Sequence, residues 1–183
     1  MRIFISGGCK NGKSHHAQSL AKKTAQAKNL PLYYIATMKP ADSEDAERIA
    51  NHRREREGWG FVTVEQPVDI EQITEKCDTC GSFLLDSLTA LLANEMFKQE
   101  TVSDCAGKIS ADLSAVLKNI ENIVIVSDYI YSDAQIYDGL TENYRKSLAF
   151  LDAAAARECD IVLEACYTNI IIHKGKGLYN EVF

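Results

Sequence analysis

The stretch Ile3-Phe4-Ile5-Ser6-Gly7-Gly8-Cys9-Lys10-Asn11-Gly12-Lys13-Ser14 leaves the chain around it little choice of fold. Its mostly apolar start reads as a buried strand, and residues 13–28, free of glycine and proline, read as a helix. Between them, Gly7 to Ser14 fit the spacing G-x-x-x-x-G-K-[ST] completely. Glycines at that spacing let backbone N–H groups turn inward into an anion-binding nest, and the helix that follows offers its positive end to the same anion. A lysine at position 13 reaches the β- and γ-phosphates of a nucleotide, and the Ser14 hydroxyl is placed to ligate Mg²⁺. The phosphate-binding candidates are therefore Gly7, Gly8, Cys9, Lys10, Asn11, Gly12, Lys13 and Ser14.

The rest of the chain alternates. Strand-like runs lie at 2–6, 32–36, 61–64, 82–85, 123–127, 161–163 and 170–173, and helix-like runs at 13–28, 43–56, 70–76, 87–98, 103–119 and 142–158. Continuous apolar strands separated by helices predict a mostly parallel sheet with helices on both faces. The three prolines, Pro31, Pro40 and Pro67, fall between these runs, as their missing N–H requires. No repeat, low-complexity tract or linker divides the 183 residues, so the expectation is one α/β domain over 1–183. A net charge of −6 argues against a general nucleic-acid binder. No apolar run is long enough to span a membrane, and the first residues do not read as a signal peptide, so a cytoplasmic protein is expected. Cys77-Asp78-Thr79-Cys80, with no second pair at zinc spacing and a strand after rather than before it, reads as a plain loop.

A phosphate-bound Mg²⁺ needs a carboxylate, usually from the end of another strand. Asp86 ends "SFLLD" and Asp128 follows "IVIVS", which puts both on the carboxyl-end rim where ligands bind in such sheets. Asp86 is the preferred metal ligand with Ser14, and Asp128 is read as a helix cap or rim acid. His52 stands among Arg48, Arg53, Arg54 and Arg56 on the 43–56 run. Guanidiniums hold phosphate oxygens and a neutral imidazole is a nucleophile, although a solvated, salt-bridged helix has the same composition.

Four pieces taken in order resemble the adenosylcobinamide kinase/adenosylcobinamide-phosphate guanylyltransferase family of cobalamin biosynthesis. They are "IFISGGCKNGKSHHAQSLA", "YYIATM", "DAERIANHRRER…FVTVEQP" and "FLLDSLTALLANEMF". The resemblance implies a P-loop NTPase-like α/β fold and a trimer with active sites near subunit contacts. It implies two reactions: phosphorylation of the aminopropanol hydroxyl of adenosylcobinamide by GTP or ATP, then transfer of GMP from GTP onto that phosphate. The second reaction passes through a guanylylated histidine, which falls on His52 by the match Arg48-Ile49-Ala50-Asn51-His52. By the same carry-over the catalytic residues are His52 and Lys13. Nucleotide contacts fall on the glycine loop and on Ala36, Thr37, Met38, Arg53, Arg54, Glu55, Arg56, Glu65 and Asp86.

The second half departs from the family's pattern. Where members carry Asn-Glu-Val-Gly after the strand, this chain has Asp128, Tyr129, Ile130 and Tyr131; where they carry Asn-Gln in the final helix, it has Asp152-Ala153. These changes bear on the corrinoid acceptor more than on the nucleotide. They leave two alternatives open: a divergent GTP-binding paralogue lacking one or both activities, or a P-loop kinase for another small alcohol.

Overall fold

The computed structural model describes residues 1–40, 47, 49–50, 53–54, 56–98 and 105–183. Among these, the elements in chain order are β1 (Arg2–Gly7), α1 (Lys13–Lys28), β2 (Leu32–Ala36), β3 (Val62–Glu65), a 3₁₀ turn (Ile70–Gln72) running into α2 (Ile73–Lys76), β4 (Ser82–Asp86), α3 (Leu88–Met96), α4 (Ala106–Asn119), β5 (Asn122–Val126), α5 (Gly139–Glu158), β6 (Ile161–Cys166), β7 (Asn169–Lys174) and α6 (Lys176–Val182). The strands form one sheet in the order β3-β2-β4-β5-β1-β6-β7. All neighbours are parallel except β7, which returns antiparallel to β6.

The central strands are apolar without alternation because both faces are covered. Along β4, Phe83 and Leu85 enter one core while Leu84 enters the other; along β5, Ile123 and Ile125 oppose Val124 and Val126 in the same way. The first core is closed by α3, α4 and α5 through Leu91, Leu92, Ile109, Leu113, Leu148 and Leu151. The second is closed by α1 through Ala17, Leu20 and Ala21, with Tyr179 and Phe183 near the chain end packed against it. Burying a Leu or Ile side chain contributes roughly 1.5–3 kcal/mol, so these two layers carry the fold.

Helix boundaries follow local chemistry. α1 ends where Asn29 turns left-handed (φ 53°) and Leu30 N–H reaches back to Ala25 O. Ser87 caps α3 by accepting from Ala90 N–H, and Asp138 caps α5 by accepting from Leu140 and Thr141 N–H.

From β1 the chain crosses one face through α1 to β2, while from β5 it crosses the other face through α5 to β6 on the far side of β1. The carboxyl ends of β1 and β5 thus form the topological switch point, where doubly wound sheets bind ligands.

Among the described residues the expected elements hold within three residues at each end, with two differences. The 70–76 run is broken into a 3₁₀ turn and a single α turn after Asp69, which takes positive φ. The last helix, Lys176–Val182, has no counterpart in the sequence reading. Two glycines, Gly175 and Gly177, weaken a helical signal there; Gly175 at φ 77° stands at the N-cap, and Tyr179 packs the helix against the second core. Of the 43–56 run, Glu47, Ile49, Ala50, Arg53 and Arg54 are helical; its other residues before Arg56, and the first two of 103–119, lie outside the described residues.

Candidate active site

Gly7 ends β1 against β6 so closely that a Cβ there would sit 2.5 Å from the Ala165 carbonyl oxygen, so only glycine fits. The loop then turns through positive φ at Lys10 (57°) and Gly12 (78°), and Asn11 Nδ2 donates to Ala165 O at 3.3 Å. Gly12 opens α1 with no side-chain cap, which leaves the helix's first N–H groups to an anion. Lys13 is buried; its ammonium donates to Gly8 O at 3.0 Å and stands 2.5 Å from Asp128 Oδ1. The ammonium is therefore folded back over the loop, where phosphates are expected. Ser14 follows it in the first helical turn, half-buried.

The rim is set by register. Glu65, Ala36 and Asp86 lie side by side across β3, β2 and β4, and Asp86 pairs with Val126 at the end of β5. Asp86 accepts the Tyr34 hydroxyl at 2.8 Å. The Tyr34 ring is covered by the Arg56 guanidinium, 3.5 Å from its centroid, and meets Phe61 edge-on. Arg56 is itself buried, and its Nη1 has no hydrogen-bond partner among the described residues.

Thr37 is fully buried; its hydroxyl accepts from Ser87 N–H at 2.7 Å and donates to Ser87 O at 2.8 Å. Asn94 Nδ2 donates to Thr37 O at 2.6 Å and to Pro67 O at 3.1 Å. These bonds fix the ends of β2 and β4 against α3, so Thr37 acts on the rim by holding it in shape. Ala36 sits within the strand ladder, and Met38 is half-buried on the loop that follows.

The sequence candidates fall into two neighbourhoods. One is the loop with Lys13, Asp128 and the ends of β1 and β5. The other is an open cleft of about 620 Å³ lined by Arg53, Arg54, Arg56, Gly58, Phe61 and Thr63. In the cleft, exposed Arg53 is already ion-paired with Glu65. Tyr34 bridges the two places, with its hydroxyl on Asp86 and its face under Arg56. His52 and Glu55, with Arg48 and Asn51, lie outside the described residues.

Several contacts of the site are not legible in the sequence. Asp128, which the sequence places on the rim as a helix cap or rim acid, meets the phosphate-loop lysine. Its N–H donates to Thr89 Oγ1 at 2.8 Å, Tyr144 OH donates to Thr89 O at 2.9 Å, and Tyr129 N–H donates to Gly7 O at 2.9 Å. Behind it, Tyr131 OH donates to Asp152 Oδ2 at 2.9 Å. Those two residues stand at positions that depart from the family pattern, and here they touch. Burial raises the Asp152 pKa to about 6; the Ser127 and Tyr131 hydroxyls pull it down and the Asp128 charge pushes it up. Burial, with Asp128 and Asp152 nearby, raises the Tyr144 phenol to about 12.

Cys77 and Cys80 form no disulfide, and burial raises the Cys77 thiol. No group of three His, Cys, Asp or Glu side chains that could hold a metal occurs among the described residues. A Mg²⁺ that takes most of its ligands from phosphates and water does not need one.

The cobinamide kinase/cobinamide phosphate guanyltransferase family matches residues 3–167, nearly the whole sheet and both candidate neighbourhoods. The chain belongs to this family. A Pseudomonas aeruginosa relative, the bifunctional adenosylcobalamin biosynthesis protein CobP, is 27% identical over 172 residues, which cover 88% of this chain and 91% of that protein. The Escherichia coli bifunctional adenosylcobalamin biosynthesis protein CobU is 36% identical over 98 residues, 53% of this chain and 51% of that one. Among solved structures, the KaiC-like protein PH0186 from Pyrococcus horikoshii superposes with a TM-score of 0.52 at 15% identity, covering 94% of this chain and 78% of that one. The fold is P-loop NTPase-like. No helix among the described residues is long and apolar enough to cross a membrane.

Proposed function

We propose that this protein is a bifunctional adenosylcobinamide kinase and adenosylcobinamide-phosphate guanylyltransferase, using GTP or ATP for the first step and GTP for the second. The observation that carries the reading is the buried Lys13 ammonium over the glycine loop at the sheet's switch point, in a chain of this family. The kinase step needs positioning and electrostatics: Lys13 and the N–H groups of the loop and α1 bind the phosphates and hold the charge that builds on the leaving nucleotide. Ser14 and Asp86 supply hard oxygen donors suited to Mg²⁺ and would hold it; when bound, the ion neutralises phosphate charge.

In the transferase step, neutral His52 attacks the α-phosphorus of GTP, pyrophosphate leaves, and the GMP passes to the cobinamide phosphate. The cleft arginines Arg53, Arg54 and Arg56 support this reading, since guanidiniums pair with phosphate oxygens. The test is incubation with Mg²⁺ and GTP radioactive at the α-phosphate. The wild type should take up an acid-labile label that adenosylcobinamide phosphate removes, and His52→Asn should take up none. A labelled His52→Asn protein refutes the assignment. A second reading, a kinase acting on an altered acceptor, is favoured by Tyr131, which stands where the resemblance expects a glycine and whose hydroxyl donates to Asp152. A trimer and a cytoplasmic location belong to the same proposal.

A further inference from the structure

We propose that Asp128 is the catalytic base of phosphoryl transfer: it holds Lys13 while the site is empty, yields the lysine to the incoming nucleotide, and then takes the proton of the acceptor hydroxyl. The inference rests on the kinase half of the proposed function.

Four observations carry it. The first is contact, with Asp128 Oδ1 2.5 Å from Lys13 Nζ. A carboxylate touching the ammonium that grips the β- and γ-phosphates stands beside the phosphoryl group to be moved. That is where a base must be, since it has to lie within hydrogen-bond reach of the attacking oxygen.

The second is topology. β5 is hydrogen-bonded directly to β1, whereas β4, which carries Asp86, lies one strand further out. The two rim carboxylates thus have different reach. Asp86 is also engaged by Tyr34, while Asp128 engages the lysine.

The third is rigidity. The backbone at Asp128 and Tyr129 is pinned to Thr89 and to Gly7 of the loop strand, so the carboxylate keeps its place when Lys13 turns to the phosphates.

The fourth is access. The Asp128 side chain is 31% exposed although Lys13 is only 7% exposed, so an acceptor can reach the acid from solvent. Three residues on, Tyr131 lines an open groove of about 450 Å³ with Gln135, Arg145 and Lys146, a polar place for the acceptor.

The step balances. The acceptor O–H bond breaks and its proton goes to the Asp128 carboxylate. The oxygen bonds to the γ-phosphorus as the bond to the β-phosphate oxygen breaks. That electron pair leaves with the nucleoside diphosphate beside Lys13, and Asp128 later returns its proton to water.

The test compares wild type, Asp128→Asn and Asp128→Glu. Nucleotide affinity is measured by calorimetry with Mg²⁺ and with EDTA, and phosphorylation of adenosylcobinamide by single turnover. Asp128→Asn should bind nucleotide about 3- to 10-fold more tightly, because Lys13 no longer has a carboxylate to leave. The effect of Mg²⁺ on affinity should persist, phosphoryl transfer should fall about 10²- to 10⁴-fold, and Asp128→Glu should recover part of it.

Transfer within threefold of wild type overturns the proposal. So does loss of the Mg²⁺ effect in Asp128→Asn, which would make Asp128 a metal ligand, or much weaker nucleotide binding, which would make it a structural support. A wild type that binds nucleotide but phosphorylates no cobinamide overturns the kinase reading and with it the base role. The Asp128→Asn affinity then upholds or overturns the exchange of Lys13 separately.

Discussion

Replacing Asp152 by Asn should stabilise the protein at pH 8 and leave it unchanged at pH 4. Asp152 is 3% exposed on α5; its Oδ2 accepts the Tyr131 hydroxyl, the Ser127 hydroxyl also faces the carboxyl, and Oδ1 has no hydrogen bond among the described residues. Burial and the neighbouring Asp128 raise its pKa from 3.8 to about 6. The raised value means that the folded protein binds this proton more tightly than the unfolded chain does. Between those two pH values the native state holds more protons, so stability falls as pH rises. The loss is absent below about pH 4 and complete above about pH 7. A gap of roughly two pH units at 1.36 kcal/mol each gives about 3 kcal/mol of destabilisation from the ionised carboxylate.

Asn keeps the shape and an acceptor for Tyr131 and carries no charge. The gain at pH 8 should be about 2–3 kcal/mol, or about 4–10 °C in melting temperature for a chain of this size. Tyr131→Phe should act in the opposite sense at pH 8 by removing the donor that helps the ionised form. The assay is urea unfolding of the variants at both pH values. A gain for Asp152→Asn that is equal at pH 4 and pH 8, or absent at pH 8, would refute the reasoning.

Two further predictions concern the nucleotide. Lys13→Ala should lose at least about 100-fold in GTP affinity by calorimetry, with a melting temperature near that of the wild type because Asp128 remains partly solvated; unchanged affinity would remove the loop from the phosphate site. Asp86→Asn should abolish the enhancement of nucleotide affinity by Mg²⁺, and an enhancement that survives intact would move the metal to another acid.

Much of the fold could be read from the chain because its strongest signals are local. The strand, glycine loop and helix at 2–28 carry their own geometry, and the apolar runs of β4 and β5 are long enough to require cover on both faces. What escaped was decided by packing. The antiparallel return of β7 and the final helix depend on where Tyr179 and Phe183 find an apolar surface, and nothing within residues 169–183 fixes that alone.

The site divides along the same line. Gly7, Lys13 and Asp86 are legible because a spacing or a strand end places them. Asp128 illustrates the opposite case. In sequence it is one of two acids at the end of an apolar run, and a metal carboxylate on β4 satisfies the loop motif without it. Only the strand order, which sets β5 rather than β4 beside β1, brings it to the lysine. Tyr131 and Asp152 are 21 residues apart and each looks like an isolated loss of a family residue. In the fold they form one hydrogen-bonded pair, the Tyr131 hydroxyl donating to Asp152 Oδ2. The bond ties the two positions together, so Tyr131→Gly alone would strip the buried Asp152 of this donor, and a change at either position is felt at the other behind Asp128.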